Sequence, residues 1–91
     1  MDIRRESLAK MIDHTLLDPR ASRDQVERLC DEAKAYNVYA VCVNSAWIRL
    51  SVSLLKGSGV KVTSTVGFPL GASMSEVKAF EAATAVGLGA A

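Results

Sequence analysis

Ninety-one residues, 49% hydrophobic and 23% charged with a formal net charge of +1, exclude intrinsic disorder and argue for one soluble domain rather than two. Eleven basic against ten acidic residues set up no one-signed field, so neither nucleic acid nor a membrane surface is an expected partner. Two cysteines, a charged start at Met1-Asp2-Ile3-Arg4-Arg5-Glu6 and no apolar run near the roughly 18 residues of a spanning helix lead to the expectation of a thiol-reduced, cytoplasmic chain.

Residues 1–11 read as a short peripheral helix, and Met11 to Leu17 as a short strand and loop stopped by Asp18-Pro19. Ser22-Arg23-Asp24-Gln25 has the form of a capping box. Behind it Val26, Leu29, Cys30, Ala33 and Tyr36 recur at intervals of three and four, which predicts one apolar stripe on a helix over Arg23–Tyr36 closed by a left-handed Asn37. Val38 to Val43 is an unalternating apolar run, the signature of a strand buried on both faces. A second helix is expected over Ala46–Lys56, ended by Gly57-Ser58-Gly59, and a third strand over the β-branched run Val60–Val66. After the loop Gly67-Phe68-Pro69-Leu70-Gly71, a second capping box at Ser73-Met74-Ser75-Glu76 predicts a last helix with Val77, Phe80, Ala83 or Thr84 and Gly87 on one side, and Phe80 packed.

The order is strand and helix three times over, at about 25 residues per unit, which places the chain in the α/β class as three successive βα units with parallel strands. Residues 12–36, 37–59 and 60–91 are the three units of a single segment, 1–91. Alternation alone leaves open whether the sheet is doubly wound or an arc of a closed barrel. The chain stops where a fourth strand is expected, which leaves two sheet edges unpaired and apolar faces that a second copy can cover, so a homo-oligomer is an expected state.

In parallel α/β folds functional groups gather at the carboxyl ends of the strands. Asp13-His14-Thr15, Cys42-Val43-Asn44 and Gly67-Phe68-Pro69-Leu70-Gly71 are the three segments expected on that rim, an assembly able to orient a small hydroxylated ligand. His14 is expected to pack and bond to backbone; one histidine without paired cysteine spacing is no zinc signature, and no metal or cofactor is expected. Thr15 and Asn44 are equally expected as caps of loop backbone and as ligand contacts, Gly67 and Gly71 are expected as turn residues, and Cys30 as core.

The runs Ile12-Asp13-His14-Thr15-Leu16-Leu17, Ala40-Val41-Cys42-Val43-Asn44, Lys56-Gly57-Ser58-Gly59-Val60-Lys61-Val62 and Gly67-Phe68-Pro69-Leu70-Gly71, in that order and spacing, resemble deoxyribose-phosphate aldolase over nearly the whole chain. The resemblance implies part of a (βα)8 TIM-type barrel and a metal-free class I aldolase, which joins acetaldehyde and glyceraldehyde 3-phosphate reversibly into 2-deoxyribose 5-phosphate through a lysine Schiff base. It implies that Asp13 holds substrate hydroxyl and water, that Thr15 is a neighbouring polar contact, that Cys42 lies near the reacting carbonyl without being the nucleophile, and that Leu17 and Phe68 line the pocket. It also implies that the Schiff-base lysine, its partner lysine, the acid/base aspartate and the phosphate loops belong to later strands, absent from these 91 residues. Lys10 and Lys61 are expected at the opposite end of the strands, and Lys34, Lys56 and Lys78 on helices or their ends, so no lysine is expected on the rim and the chain alone is expected to be inactive. Two further readings stand beside that one, a non-catalytic self-associating α/β module and a weak sugar-phosphate binding domain.

Overall fold

The Ser22 capping box forms as its spacing dictates: the Gln25 amide donates to Ser22 Oγ at 3.2 Å, and the Ser22 amide donates to Gln25 Oε1 at 2.8 Å. It opens helix α1, Arg23–Tyr36, and Asn37 closes it at φ 52° and ψ 48°, with its amide turned back to the last carbonyls. The computed structural model describes residues 7–68, 71–72 and 74–91. Of the expected N-terminal helix, residues 7–9 are helical and residues 1–6 lie outside the described residues.

Three short parallel strands, β1 (Asp13–Leu16), β2 (Ala40–Val43) and β3 (Lys61–Ser64), lie in the order β1-β2-β3. A single 3-10 turn over Ser45–Trp47 leads into α2, Ile48–Leu55, and α3 spans Ser75–Gly87. The register sets Asp13 beside Ala40 and Ala40 beside Lys61; two residues on, Thr15 stands beside Cys42 and Cys42 beside Thr63. Partners in register share a face and alternate residues change face, so His14, Val41 and Val62, then Leu16, Val43 and Ser64, occupy the other side.

That other side is where the core lies. Val41, Val43 and Val62 join Val26, Leu29, Cys30 and Ala33 of α1, and Ile48 and Leu55 of α2, in one buried cluster, with Leu16 and Trp47 packed against it. Both helices therefore cover one face of a sheet whose strands follow chain order without reversal. An arc of a barrel wall has this one-sided, unreversed arrangement, and so does one half of a doubly wound sheet, whose order reverses only past the third strand.

The ends of two elements differ from expectation. The last helix begins one residue later than the Ser73 cap requires: its N-cap is Met74, which has no side chain able to accept the orphan amides, and Ser73 lies outside the described residues. Its apolar stripe is also outward. Phe80 is 76% exposed and Val77 53%, and α3 meets the core through Ala85, with Leu88 just beyond its end. The stripe has no facing element among the described residues, because α1 and α2 pack on the sheet and on each other. Tyr36 likewise falls off the stripe of α1 at 68% exposure, since the core ends one turn earlier at Ala33.

Beyond α3 the chain returns to the sheet, and the Ala91 amide donates to the Val62 carbonyl at 2.7 Å on the free edge of β3. No described helix is long and apolar enough to cross a membrane.

Candidate active-site face

The side of the sheet turned away from the helices carries Asp13, Ala40 and Lys61 in its lowest tier and Thr15, Cys42 and Thr63 in the tier above. A strand buried against helices favours valine. This face holds instead a carboxylate, an ammonium, two hydroxyls and a thiol on small side chains, and Asp13 and Thr15 are exposed. The polar set is thus segregated by strand parity: odd positions in β1 and β3, even positions in β2.

Asp13 is not on the rim where its segment was expected. It opens β1, so its Cα stands at the amino end, while the carboxyl rim is formed by the residues after Leu16, Val43 and Ser64. The physical reason is that Asp18-Pro19 ends the strand pattern but does not push it upstream: the pairing with β2 starts at Asp13. Its carboxylate nonetheless reaches the middle tier, with Thr63 Oγ1 at 3.3 Å from Oδ1 and 3.4 Å from Oδ2. Thr15 donates its hydroxyl to the Asp13 carbonyl at 2.9 Å, and Cys42 is a half-buried free thiol.

At the rim proper, Asn44 joins all three strand ends. Its amide nitrogen donates to the Leu17 carbonyl at 3.1 Å, and its Oδ1 accepts from Thr65 Oγ1 at 3.4 Å. Asn44 is thus a loop-backbone bridge, one of the two roles its sequence position allowed. The following loop is anchored by Glu81 of α3, whose Oε1 accepts the Gly67 amide at 3.0 Å. Gly67 and Gly71 take φ of 65° and 64°, so both supply turn geometry. Leu17, just after β1, is half-buried, Phe68 in the loop after β3 is exposed, and Pro69 and Leu70 lie outside the described residues.

Sequence reasoning missed Thr63, Thr65 and Glu81. The first two were legible by parity, since they fall two and four positions after Lys61 in a strand paired in register with Cys42; Glu81 carries no sequence signal that separates it from any solvated helix residue.

The remaining candidates lie elsewhere. His14 is on the helix side, where its Nε2 stands 3.9 Å from Glu32 Oε2, a side-chain partner rather than the expected backbone one. Cys30 is fully buried, and desolvation raises its pKa, offset in smaller measure by the neighbouring Ser51 hydroxyl and by Lys34. Of the described lysines, Lys61 alone belongs to the polar face, in the lowest tier, and none is in the middle tier. Lys78, on the first turn of α3, points toward the loop, its Nζ 3.9 Å from where a Cβ on Gly71 would stand.

Known proteins share this sequence and this fold. No family model matches the chain. A deoxyribose-phosphate aldolase of Clostridium perfringens is 52% identical over 94% of this chain, which spans 38% of that relative's length. A solved structure from Coccidioides immitis, provisionally assigned as the same enzyme, superposes with a TM-score of 0.91 at 38% identity, over 94% of this chain and 34% of the other. The tetrameric deoxyribose phosphate aldolase of Aeropyrum pernix gives a TM-score of 0.87 at 40% identity, over 94% and 37%. In sequence and fold the chain matches an N-terminal portion of the deoxyribose-phosphate aldolases. It spans about 38% of the length of the curated aldolases it matches.

Proposed function

We propose that this chain supplies part of the inner wall of a deoxyribose-phosphate aldolase, in which Asp13, Thr15 and Cys42 face 2-deoxyribose 5-phosphate or its aldehyde products. The observation that carries the reading is the polar middle tier Thr15, Cys42 and Thr63, with the Asp13 carboxylate drawn up to it, on the face the helices leave open. In this reading Asp13 accepts a substrate hydroxyl or a water, Thr15 narrows the approach beside it, and Cys42 provides a small polarisable contact near the carbonyl. Leu17 and Phe68 form the apolar lip. The carbon–carbon step needs a lysine amine that condenses with the aldehyde to an iminium and releases water, and no described lysine in the middle tier supplies it. The 91 residues alone are accordingly expected to show no turnover. A cytoplasmic setting suits the two free cysteines.

The test is a chimera that joins this chain to the later units of a relative's barrel. It is expected to cleave 2-deoxyribose 5-phosphate and to trap substrate on borohydride reduction, while Asp13→Asn lowers kcat at least about tenfold. A folded chimera that traps nothing would sink the reading.

One observation favours a second role for the chain by itself. Met74, Val77 and Phe80 leave an exposed apolar strip on α3, with Phe68 also exposed in the preceding loop, and such strips mark association surfaces. The Aeropyrum pernix relative is a tetramer. Self-association is expected to rise with concentration in light scattering and to weaken with Phe80→Lys; a monomer at every concentration contradicts it.

A further inference from the structure

Asp13 belongs to the lowest tier, yet its carboxylate is aimed one tier up. Thr63 Oγ1 lies astride it, 3.3 Å from one oxygen and 3.4 Å from the other, and is itself 3.0 Å from the Val41 carbonyl. Among the described residues no other side chain hydrogen-bonds or ion-pairs with this carboxylate. Thr15, nearer in sequence, donates its hydroxyl to the Asp13 carbonyl and not to the carboxylate.

A competing arrangement is visible in the register. Asp13 and Lys61 flank Ala40 in one tier, two inter-strand spacings apart, roughly 9.5 Å. Alanine fills almost none of the space between them, and a lysine stem of four carbons can lean across it. An unrestrained Asp13 would therefore turn sideways toward an opposite charge. The hydroxyl at position 63 opposes that turn: its one proton has the neutral Val41 carbonyl at 3.0 Å and the Asp13 oxygens at 3.3 and 3.4 Å as acceptors, and the negative charge of the carboxylate makes it the stronger one.

We infer that Thr63 is a positioning residue that holds the Asp13 carboxylate toward Thr15 and Cys42 and away from Lys61. The effect on turnover rests on the proposed aldolase reading; the hydrogen bond does not.

Two measurements separate these. In the 91-residue chain, the Asp13 carboxyl carbon observed by carbon-13 NMR in light and heavy water reads the Thr63 hydroxyl proton through the bond. The isotope shift is expected in the wild type, kept in Thr63→Ser and lost in Thr63→Val. In the active chimera, Thr63→Val is expected to lower kcat about tenfold with KM changed less than about twofold, and Thr63→Ser to keep most of the rate. Adding Lys61→Gln to Thr63→Val is expected to regain part of the lost rate, because the competing cation is gone; a merely structural defect would not be repaired this way. An isotope shift indifferent to Thr63→Val, or an unchanged kcat, overturns the proposal. In a chimera without turnover the aldolase reading falls, and the isotope shift alone decides whether Thr63 holds Asp13.

Discussion

The Asn44 side-chain amide donates to the Leu17 carbonyl at 3.1 Å while its oxygen accepts from Thr65, so one residue after β2 fastens the ends of β1 and β3. Both bonds are half-buried, and a net contribution of about 1 kcal/mol each is the ordinary scale for neutral partners. Asn44→Ala is expected to lower unfolding stability by about 1–2 kcal/mol in urea titrations. Asn44→Asp should cost more than the alanine change above neutral pH, because a carboxylate cannot donate and sets an acceptor against the Leu17 carbonyl. Equal losses for the two variants would show that the Leu17 bond contributes little.

Glu81 accepts the Gly67 amide at 3.0 Å and so ties the loop after β3 to α3, the helix least held by the core. Glu81→Ala is expected to speed hydrogen exchange at the Gly67 amide by about tenfold, the scale of a bond worth ~1.4 kcal/mol. Glu81→Gln retains an acceptor oxygen and should restore most of the protection. If the glutamine variant exchanges as fast as alanine, the protection comes from charge rather than from the bond.

Gly57 and Gly89 separate two reasons for glycine. Both have positive φ, 80° and 111°, but a Cβ at Gly57 meets nothing within 4 Å, whereas at Gly89 it stands 3.0 Å from Val52 Cγ2. Gly57→Ala is expected to cost about 1 kcal/mol from backbone strain alone. Gly89→Ala adds a clash and should cost roughly 2–3 kcal/mol. Val52→Ala in the Gly89→Ala background should cost less than the two single changes added together, a coupling that thermal unfolding of the four proteins can read.

The two thiols are expected to react in sequence. Cys42 is half-buried on the open face, while Cys30 lies in the core with its pKa raised by desolvation. Alkylation of the native chain should label Cys42 first and reach Cys30 only on unfolding, a result mass mapping would show. The raised folded value also fixes a pH dependence. Below the ordinary thiol range Cys30 is neutral in both states and its contribution is intact; as pH climbs through that range the unfolded chain ionises first and stability falls. Cys30→Ala should flatten this alkaline decline, and an unaltered slope in that variant would assign it to other groups.

What could be read in the sequence was what local chemistry sets. Arg23–Tyr36 was legible because Ser22 and Gln25 cap it from one end and Asn37 from the other, and no tertiary contact is needed for either. The three strands were legible as runs, but each is trimmed to four residues because pairing, not composition, ends a ladder. The helix side of the barrel arc required knowing which parity faces α1 and α2, and the register that fixes this is a tertiary fact. Asp13 and Cys42 were expected together on the carboxyl rim; the register sets them on one face, with Asp13 at the amino end instead, since the strand start could not be located from Asp18-Pro19. Phe80 was misjudged for a related reason: an apolar stripe reports that something should cover it, not that the covering element is at hand.

The reach of these contacts along the chain also bears on how the wall assembles. Asn44's bond to Leu17 closes 27 residues and Thr65's bond to Asn44 closes 21, each the length of a single βα unit. Such short closures let β2 dock as soon as it is made and β3 after it, an order that suits vectorial synthesis. The Thr63 hydroxyl and the Asp13 carboxylate meet across 50 residues, which needs all three strands in place. That contact is therefore a late one, and its formation rate in a refolding experiment would time the arrival of the third strand.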